Sequence, residues 1–403
     1  MKSAPSDKAC VVYVTTVPKS LSFVREIAEF VKEKGLAIHA VSSPGAELRG
    51  FAEVTGATVH AVEMPRRITP FRDIVAFLKM AMLFHRLKPS IVHAHTPKGG
   101  LIGMVSAWAA GVPVRIYHNH GLPCLTASGY RRILLRASER ASCAFSNQVL
   151  GVSNSIASTG VAEGLFPKEK VKVLLNGSIC GLDGVNEFNP DLMAEDRIRI
   201  RSEFGIPDDS QVLGFVGRIV RDKGLIELLE AWRSLSREFG SMRLLIVGEF
   251  EPQDPVPQCV EDELLADPYI LMIGKRRDMP AVYSAMDLLV LPSYREGFGL
   301  VALEASAMAL PVVASHVPGC VDSVVDGETG RLVPARDSAA LAAAIRAYLT
   351  DQDLRYRHGT AGRERALRDF RREDMLQAVY REYLRLLAIH RPMERKSNGG
   401  PSG

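Results

Sequence analysis

The chain has 403 residues, 47% of them hydrophobic and 24% charged, with a formal net charge of +4. That length suggests two domains and that composition supplies ample core, which excludes a disordered or fibrous protein. No apolar run approaches the roughly 18 residues of a membrane span, and the N-terminus has no signal-peptide core. The six cysteines, Cys10, Cys124, Cys143, Cys180, Cys259 and Cys320, are scattered without metal or redox spacing, so reduced, mostly buried thiols in a cytoplasmic protein are expected.

The charge is uneven: residues 1–205 hold 25 Lys and Arg against 17 Asp and Glu, the remainder 25 against 29, and residues 65–140 alone 12 against 2. No nucleic-acid recognition motif accompanies the basic stretch, so an anionic membrane surface or a phosphorylated acceptor fits it better. Ordinary solvated helix faces are the plainer alternative.

Residues 9–14 (ACVVYV) read as a strand buried on both faces. A loop follows, then a helix over 23–34 ended by Gly35. A dinucleotide enzyme places G-x-G-x-x-G at this first strand–helix turn; the turn here is TTVPKSL, which argues against a nicotinamide or flavin cofactor. Ser20 and Ser22 can supply polar contacts in this loop instead. Strands 36–41 and 57–62 come next, then a basic loop over 64–70 and a helix over 71–87. Its apolar residues Phe71, Ile74, Val75, Leu78, Met82 and Phe84 interleave with Arg72, Lys79 and Arg86. A core-facing helix is the commoner explanation of that pattern, and a helix lying in a membrane interface is the other.

Strand 90–95 (SIVHAH) leads into Thr96-Pro97-Lys98-Gly99-Gly100 and a helix to residue 110. Lys98 and the glycine pair sit at a helix N-terminus above a strand end, the arrangement of an anion site. Strand 113–117 runs into His118-Asn119-His120-Gly121. A neutral imidazole at a strand end facing a cleft can donate to a hydroxyl or steady developing positive charge. Helix 130–141 carries Arg131, Arg132, Arg136 and Arg140, and strands 148–152 and 171–174 follow. Residues 180–200 read as irregular, with a domain boundary near 205–207.

Strand 211–216 ends at Gly217-Arg218, and Lys223-Gly224 opens the next helix, so Arg218 and Lys223 project from one loop toward the sheet's carboxyl edge. Strands 243–248 and 269–273 precede the stretch 288–313, LLVLPSYREGFGLVALEASAMALPVV. It reads as buried strand, Gly-rich loop, Ala- and Leu-rich helix and buried strand. The amides of Gly297, Phe298, Gly299 and Leu300, with the helix dipole, favour an anion above the strand. Glu296 and Glu304 are poorly placed to hold that anion and well placed to accept charge-assisted hydrogen bonds from sugar hydroxyls. The local reading is a diphosphate held by amides, with one carboxylate for each of two polyols. Helical segments over 339–350 and 355–387 end the ordered chain, and 391–403 reads as a disordered tail.

The grouping P-S-x-x-E-G-F-G-L-x-x-L-E-A-x-A-M-x-x-P-V-V resembles the donor-site signature of family 4 nucleotide-sugar glycosyltransferases. The fragment VHAHTPKGGLIG resembles members that extend sugars carried on polyprenyl diphosphate. The resemblance implies the GT-B fold, two Rossmann-like α/β parallel-sheet domains facing across a cleft. Residues 1–205 would bind the acceptor, 206–375 the donor, and a helix over 376–390 would cross back to the first domain. It implies retaining transfer of a hexose or N-acetylhexosamine from a nucleotide sugar, usually UDP-linked, to a glycan acceptor in cell-surface polysaccharide or glycoconjugate biosynthesis. Arg218 and Lys223 would hold the diphosphate beside the 297–300 amides, with Glu296 and Glu304 on the polyols. His120, matched by its following glycine, or else His118, would lie beside the transferred sugar. Lys98, Gly99 and Ser20 would contact the acceptor. No cofactor is implied and no metal, because two fixed cations and helix-terminal amides can stabilise the departing diphosphate. The expected partners are the donor, a glycan or lipid-linked acceptor and an anionic membrane surface, with the protein peripheral on its inner face; nucleic acid is not expected. A non-hydrolysing nucleotide-sugar epimerase, a transferase with a soluble acceptor and a degenerate binding scaffold are the rival readings.

Overall fold

A computed structural model describes residues 9–67, 69–252 and 254–390, so the expected disordered tail lies outside the described residues. Two all-parallel sheets organise the chain. The first has seven strands in the order β3-β2-β1-β4-β5-β6-β7: β1 (Cys10–Val14), β2 (Ala37–Ser42), β3 (Thr58–Ala61), β4 (Ile91–His95), β5 (Val114–Asn119), β6 (Gln148–Gly151) and β7 (Val171–Val173). The second has six, in the order β10-β9-β8-β11-β12-β13: β8 (Val212–Val216), β9 (Arg243–Val247), β10 (Ile270–Met272), β11 (Leu288–Leu291), β12 (Val312–Ser315) and β13 (Gly330–Val333). Parallel neighbours require crossovers, and helices supply them on both faces, which is why the central strands are near-continuous Val, Ile and Leu.

The helices beside the first sheet are α1 (Arg25–Glu33), α2 (Ala46–Thr55), α3 (Pro70–Leu87), α4 (Pro97–Ala109), α5 (Gly129–Phe145) and α6 (Asn154–Ala162). The later ones are α7 (Ala194–Glu203), α8 (Leu225–Glu238), α9 (Gln258–Ala266), α10 (Met279–Ser284), α11 (Leu300–Ala307), α12 (Cys320–Ser323), α13 (Ser338–Thr350), α14 (Gln352–Asp369) and α15 (Arg372–His390).

In each sheet the strand order reverses once, between β1 and β4 and between β8 and β11, and such reversals open a crevice at the carboxyl ends. The loops after β8 and β11 are therefore neighbours, although about 75 residues separate them in sequence. After α14 the chain returns to the first sheet. Met375, Leu376, Val379, Tyr383 and Leu386 of α15 join its core. The outgoing and returning segments cross side by side, with Leu182 N donating to Phe370 O at 2.8 Å and Arg372 N to Leu182 O at 3.1 Å.

Three elements differ from the sequence reading. Within residues 180–200, read as irregular, the chain enters α7 (Ala194–Glu203), which packs on α10 of the second domain although it precedes the expected boundary. Its anchors are Ile200 and two arginines on Asp287, at 2.9 Å from Arg197 and 3.0 Å from Arg201, so it lacks an apolar stripe. The helix read as core-facing, α3, buries Ala76, Met80, Leu83 and Phe84, and leaves Phe71, Ile74, Val75, Leu78 and Met82 in solvent. The β5 strand runs two residues beyond its expected end and takes His118 into the sheet, opposite His95.

Candidate active site

Between the two sheets lies a cavity of about 310 Å³ whose walls come from both carboxyl edges. The second domain contributes Arg218, Asp222 and Lys223 from the loop after β8, and Arg295 to Leu300 from the loop after β11. The first contributes Phe23, His120, Val152, Ser178 and Ile179.

Two glycines permit this convergence. Gly224 has φ +71, and a Cβ there would sit 2.0 Å from Pro292 O, so the loop bearing Lys223 could not tuck beneath the end of β11. A Cβ on Gly297 would lie 2.2 Å from His120 O, so only glycine lets the two domains' backbones touch at the cavity.

The cations in the cavity are all held in ion pairs. Lys223 Nζ donates to Glu296 Oε1, and these side chains are only 17% and 13% exposed. Arg218 reaches Glu251 at 2.9 Å and is half exposed. Arg295 Nε donates to Asp222 Oδ2 at 2.7 Å and to Thr126 Oγ1 of the first domain at 2.9 Å. The first turn of α11 has no side-chain cap, and its N-cap, Gly299, lines the cavity with Leu300. Amides at an uncapped helix start facing a cleft suit an anion.

His120 stacks on Phe23 with ring centroids 5.6 Å apart, and its Nε2 lies 2.9 Å from His95 Nδ1. Burial pushes it down to about 4, so the imidazole is neutral near pH 7. Of the two histidines left open by sequence, His120 faces the cavity, whereas His118 is buried within the sheet.

His120, Glu296, Arg218, Lys223 and residues 297–300 thus converge, and four expected residues lie elsewhere. Lys98 Nζ donates to Pro65 O at 2.6 Å, Arg67 O at 2.5 Å and Asp73 Oδ1 at 2.7 Å. These contacts tie the 65–67 loop to α3 and hold Lys98 outside the residues that line the cavity. Gly99 N donates to Thr16 Oγ1 at 2.9 Å, and a Cβ there would meet Thr16 N at 3.0 Å, so this glycine serves helix–sheet packing. Ser20 lies in a short 3-10 turn outside the cavity wall, and Phe23 from the same turn reaches in instead. Glu304 accepts from Tyr283 Oη at 2.7 Å, away from the cavity wall, and burial pushes it up to about 7.

Sequence reasoning did not single out Phe23, Asp222, Arg295 or Ser178 as site residues. Arg295 adjoins Glu296 and Asp222 adjoins Lys223, so position in the same loops was the available signal. The buried Ser178 Oγ has no protein partner among the described residues, and nothing local in the sequence marks it.

Residues 22–177 match the family model of a glycosyl transferase 4-like domain, and residues 196–365 that of glycosyl transferases group 1. Among curated relatives, the capsular polysaccharide biosynthesis glycosyltransferase CapM of Staphylococcus aureus is 32% identical over 378 residues, covering 93% of this chain and 97% of that one. A D-inositol 3-phosphate glycosyltransferase of Corynebacterium urealyticum is 27% identical over 364 residues, covering 83% and 82%. The fold is shared with the crystal structure of Anabaena HepE in complex with UDP and glucose, at a TM-score of 0.75 and 19% identity over 92% of this chain and 98% of that one. A glycosyltransferase from Rickettsia africae gives a TM-score of 0.77 at 19% identity, over 95% and 99%. These likenesses replace the epimerase and scaffold readings. With one domain model on each sheet and the CapM likeness running almost end to end, the chain belongs to the GT-B glycosyltransferases that join a 4-like domain to a group 1 domain.

Proposed function

We propose that this enzyme moves a hexose or N-acetylhexosamine from a UDP-sugar, with retention of configuration, to a glycan acceptor carried on a polyprenyl-type lipid diphosphate. The observation that carries the donor half is the convergence of Arg218, Lys223, Glu296 and the 297–300 amides beside His120 in one cleft. The UDP bound in the HepE complex supports the choice of nucleotide, and the name of CapM supports polysaccharide assembly.

Each residue has a stated task. Lys223 leaves Glu296 for the diphosphate, and Glu296 accepts hydroxyls of the transferred sugar. Neutral His120 donates to another hydroxyl of that sugar or lies against its developing positive charge. The acceptor oxygen bonds to the anomeric carbon as the bond to the β-phosphate oxygen breaks. The acceptor's proton passes to that departing oxygen on the same face. Arg218, Lys223 and the α11 amides take up the charge that develops on the diphosphate, a task that calls for no metal there.

With Lys98 committed elsewhere, the lipid-linked acceptor is supported by a surface of α3, α4 and α5. Phe71 of α3 is 87% exposed, and Leu78, Trp108, Tyr130 and Ile133 are exposed with it, among Arg72, Lys79, Arg86, Arg131 and Arg132. Exposed apolar groups and cations interspersed on the same helices suit the interface of an anionic bilayer. Among the described residues no helix is long and apolar enough to cross it.

The test is a mass-spectrometric screen of nucleotide sugars with and without polyprenyl-diphosphate-linked sugar, followed by NMR of the product's anomeric configuration. UDP-sugar consumed only with the lipid-linked acceptor, with retention, is the expected result. Equal turnover with soluble acceptors alone, or inversion, would contradict it.

A further inference from the structure

Four histidines share one face of the first sheet next to the cleft. His93 and His95 alternate along β4, His118 lies in β5 with His120 just past its end, and the strand register sets His95 beside His118. His93, His95 and His118 are at most 3% exposed. Two of these rings are already oriented from outside: His93 Nδ1 lies 2.6 Å from Tyr383 Oη, and His95 Nδ1 lies 2.9 Å from His120 Nε2. Three buried nitrogens remain without a partner among the described residues: His93 Nε2, His95 Nε2 and His118 Nδ1. The three residues offer one ligand nitrogen each, all within 4.8 Å of one another, with ring centroids 4.2, 5.3 and 5.3 Å apart. An unpaired polar atom in a dry interior costs free energy, and three on adjoining rings call for a common occupant.

We propose that His93, His95 and His118 bind one divalent transition-metal ion of the zinc class, at a site separate from the donor's diphosphate. An all-imidazole set suits zinc, cobalt, nickel or copper and not magnesium. Three protein ligands leave one coordination position for water. Tetrahedral zinc with bonds of roughly 2.0–2.1 Å needs nitrogens about 3.3 Å apart, so loading draws the rings inward by up to about 1.5 Å. The outer contacts fit the role. Tyr383 Oη donates to Tyr13 Oη at 3.2 Å, so His93 Nδ1–H donates to Tyr383 and Nε2 keeps its lone pair for a ligand. Such outer hydrogen bonds fix the tautomer of a ligating imidazole. The ion would also stiffen His95, and through it His120 at the cavity wall. A single water held by the same nitrogens is the competing occupant.

The full chain is stripped with a chelator and titrated with cobalt(II). One equivalent is expected to bind with the visible absorption of a four-coordinate site, to be displaced by zinc, and to raise the thermal midpoint. His95→Gln and His118→Gln are expected to weaken binding at least about tenfold, while His85→Gln, on the exposed face of α3, leaves it intact. Should the core variants not fold, a zinc-edge anomalous map of the unaltered protein soaked in zinc decides: a peak between the three rings supports the site. A water alone at that position, no uptake by the unaltered chain, or uptake unchanged in folded His95→Gln and His118→Gln overturns it.

Discussion

In the proposed donor site, Glu296 is where the chemistry depends most on one charge. It faces Lys223 now and would face sugar hydroxyls in the complex, so Glu296→Gln removes charge-assisted hydrogen bonds worth about 1.5–3 kcal/mol. kcat/KM for the donor is expected to fall about ten- to hundredfold with the circular dichroism unchanged; an unaltered rate would remove Glu296 from the donor site. A second residue tests burial. Glu139 accepts from Tyr117 Oη at 2.8 Å and Asn119 Nδ2 at 3.1 Å, and burial lifts it from 4.5 to about 7. The folded chain therefore holds this proton more tightly than the unfolded one. Its contribution is complete below the unfolded value and is lost as the pH rises through the folded one, by about 1.4 kcal/mol per pH unit in between. Urea midpoints of Glu139→Gln should accordingly lack this decline between roughly pH 5 and 7. Parallel profiles for the two proteins would rule the assignment out. Arg218, Lys223 and Glu296 were legible in the sequence because each follows a buried strand within a few residues. The partners of Lys98 and Glu304, Asp73 and Tyr283, come from other elements and were not legible in the sequence.

Elements were legible where hydrophobic period and burial agree. The central strands and helices such as α1, α3, α4 and α13 fall within a few residues of their expected bounds, whereas α2, α9 and α12 were not read from the sequence. In α3 the 3.6-residue period cannot distinguish two apolar faces, one on the sheet and one in solvent, and α7 is held partly by ion pairs that no hydropathy pattern reveals. The histidines show the same limit: two His-x-His pairs become one cluster only through the β4–β5 register. The exposed face of α3 gives its own test. Phe71→Glu with Leu78→Glu touches no buried contact, so folding should be retained, while sedimentation with anionic phosphatidylglycerol vesicles should fall more than about tenfold. Equal binding of the unaltered protein to neutral and anionic vesicles, or of both proteins to anionic ones, would count against membrane docking.

Across the whole molecule, the cleft is bridged at several points. Ser153 Oγ donates to Gly297 O at 2.7 Å, Ser155 Oγ donates to Asp322, and Thr126 meets Arg295 and Asp222. The cavity left between the domains, about 310 Å³, sits at the small end of the range for ligand pockets, and its cations are paired internally. Donor binding as proposed would exchange those pairs for the diphosphate. Calorimetric titration with uridine diphosphate, without added divalent metal, tests that exchange most directly. Saturable one-to-one binding, weakened at least about tenfold by Lys223→Ala and further by adding Arg218→Ala, is the expected result. Absence of binding, or affinity unchanged in the double variant, would contradict a donor site in this cleft.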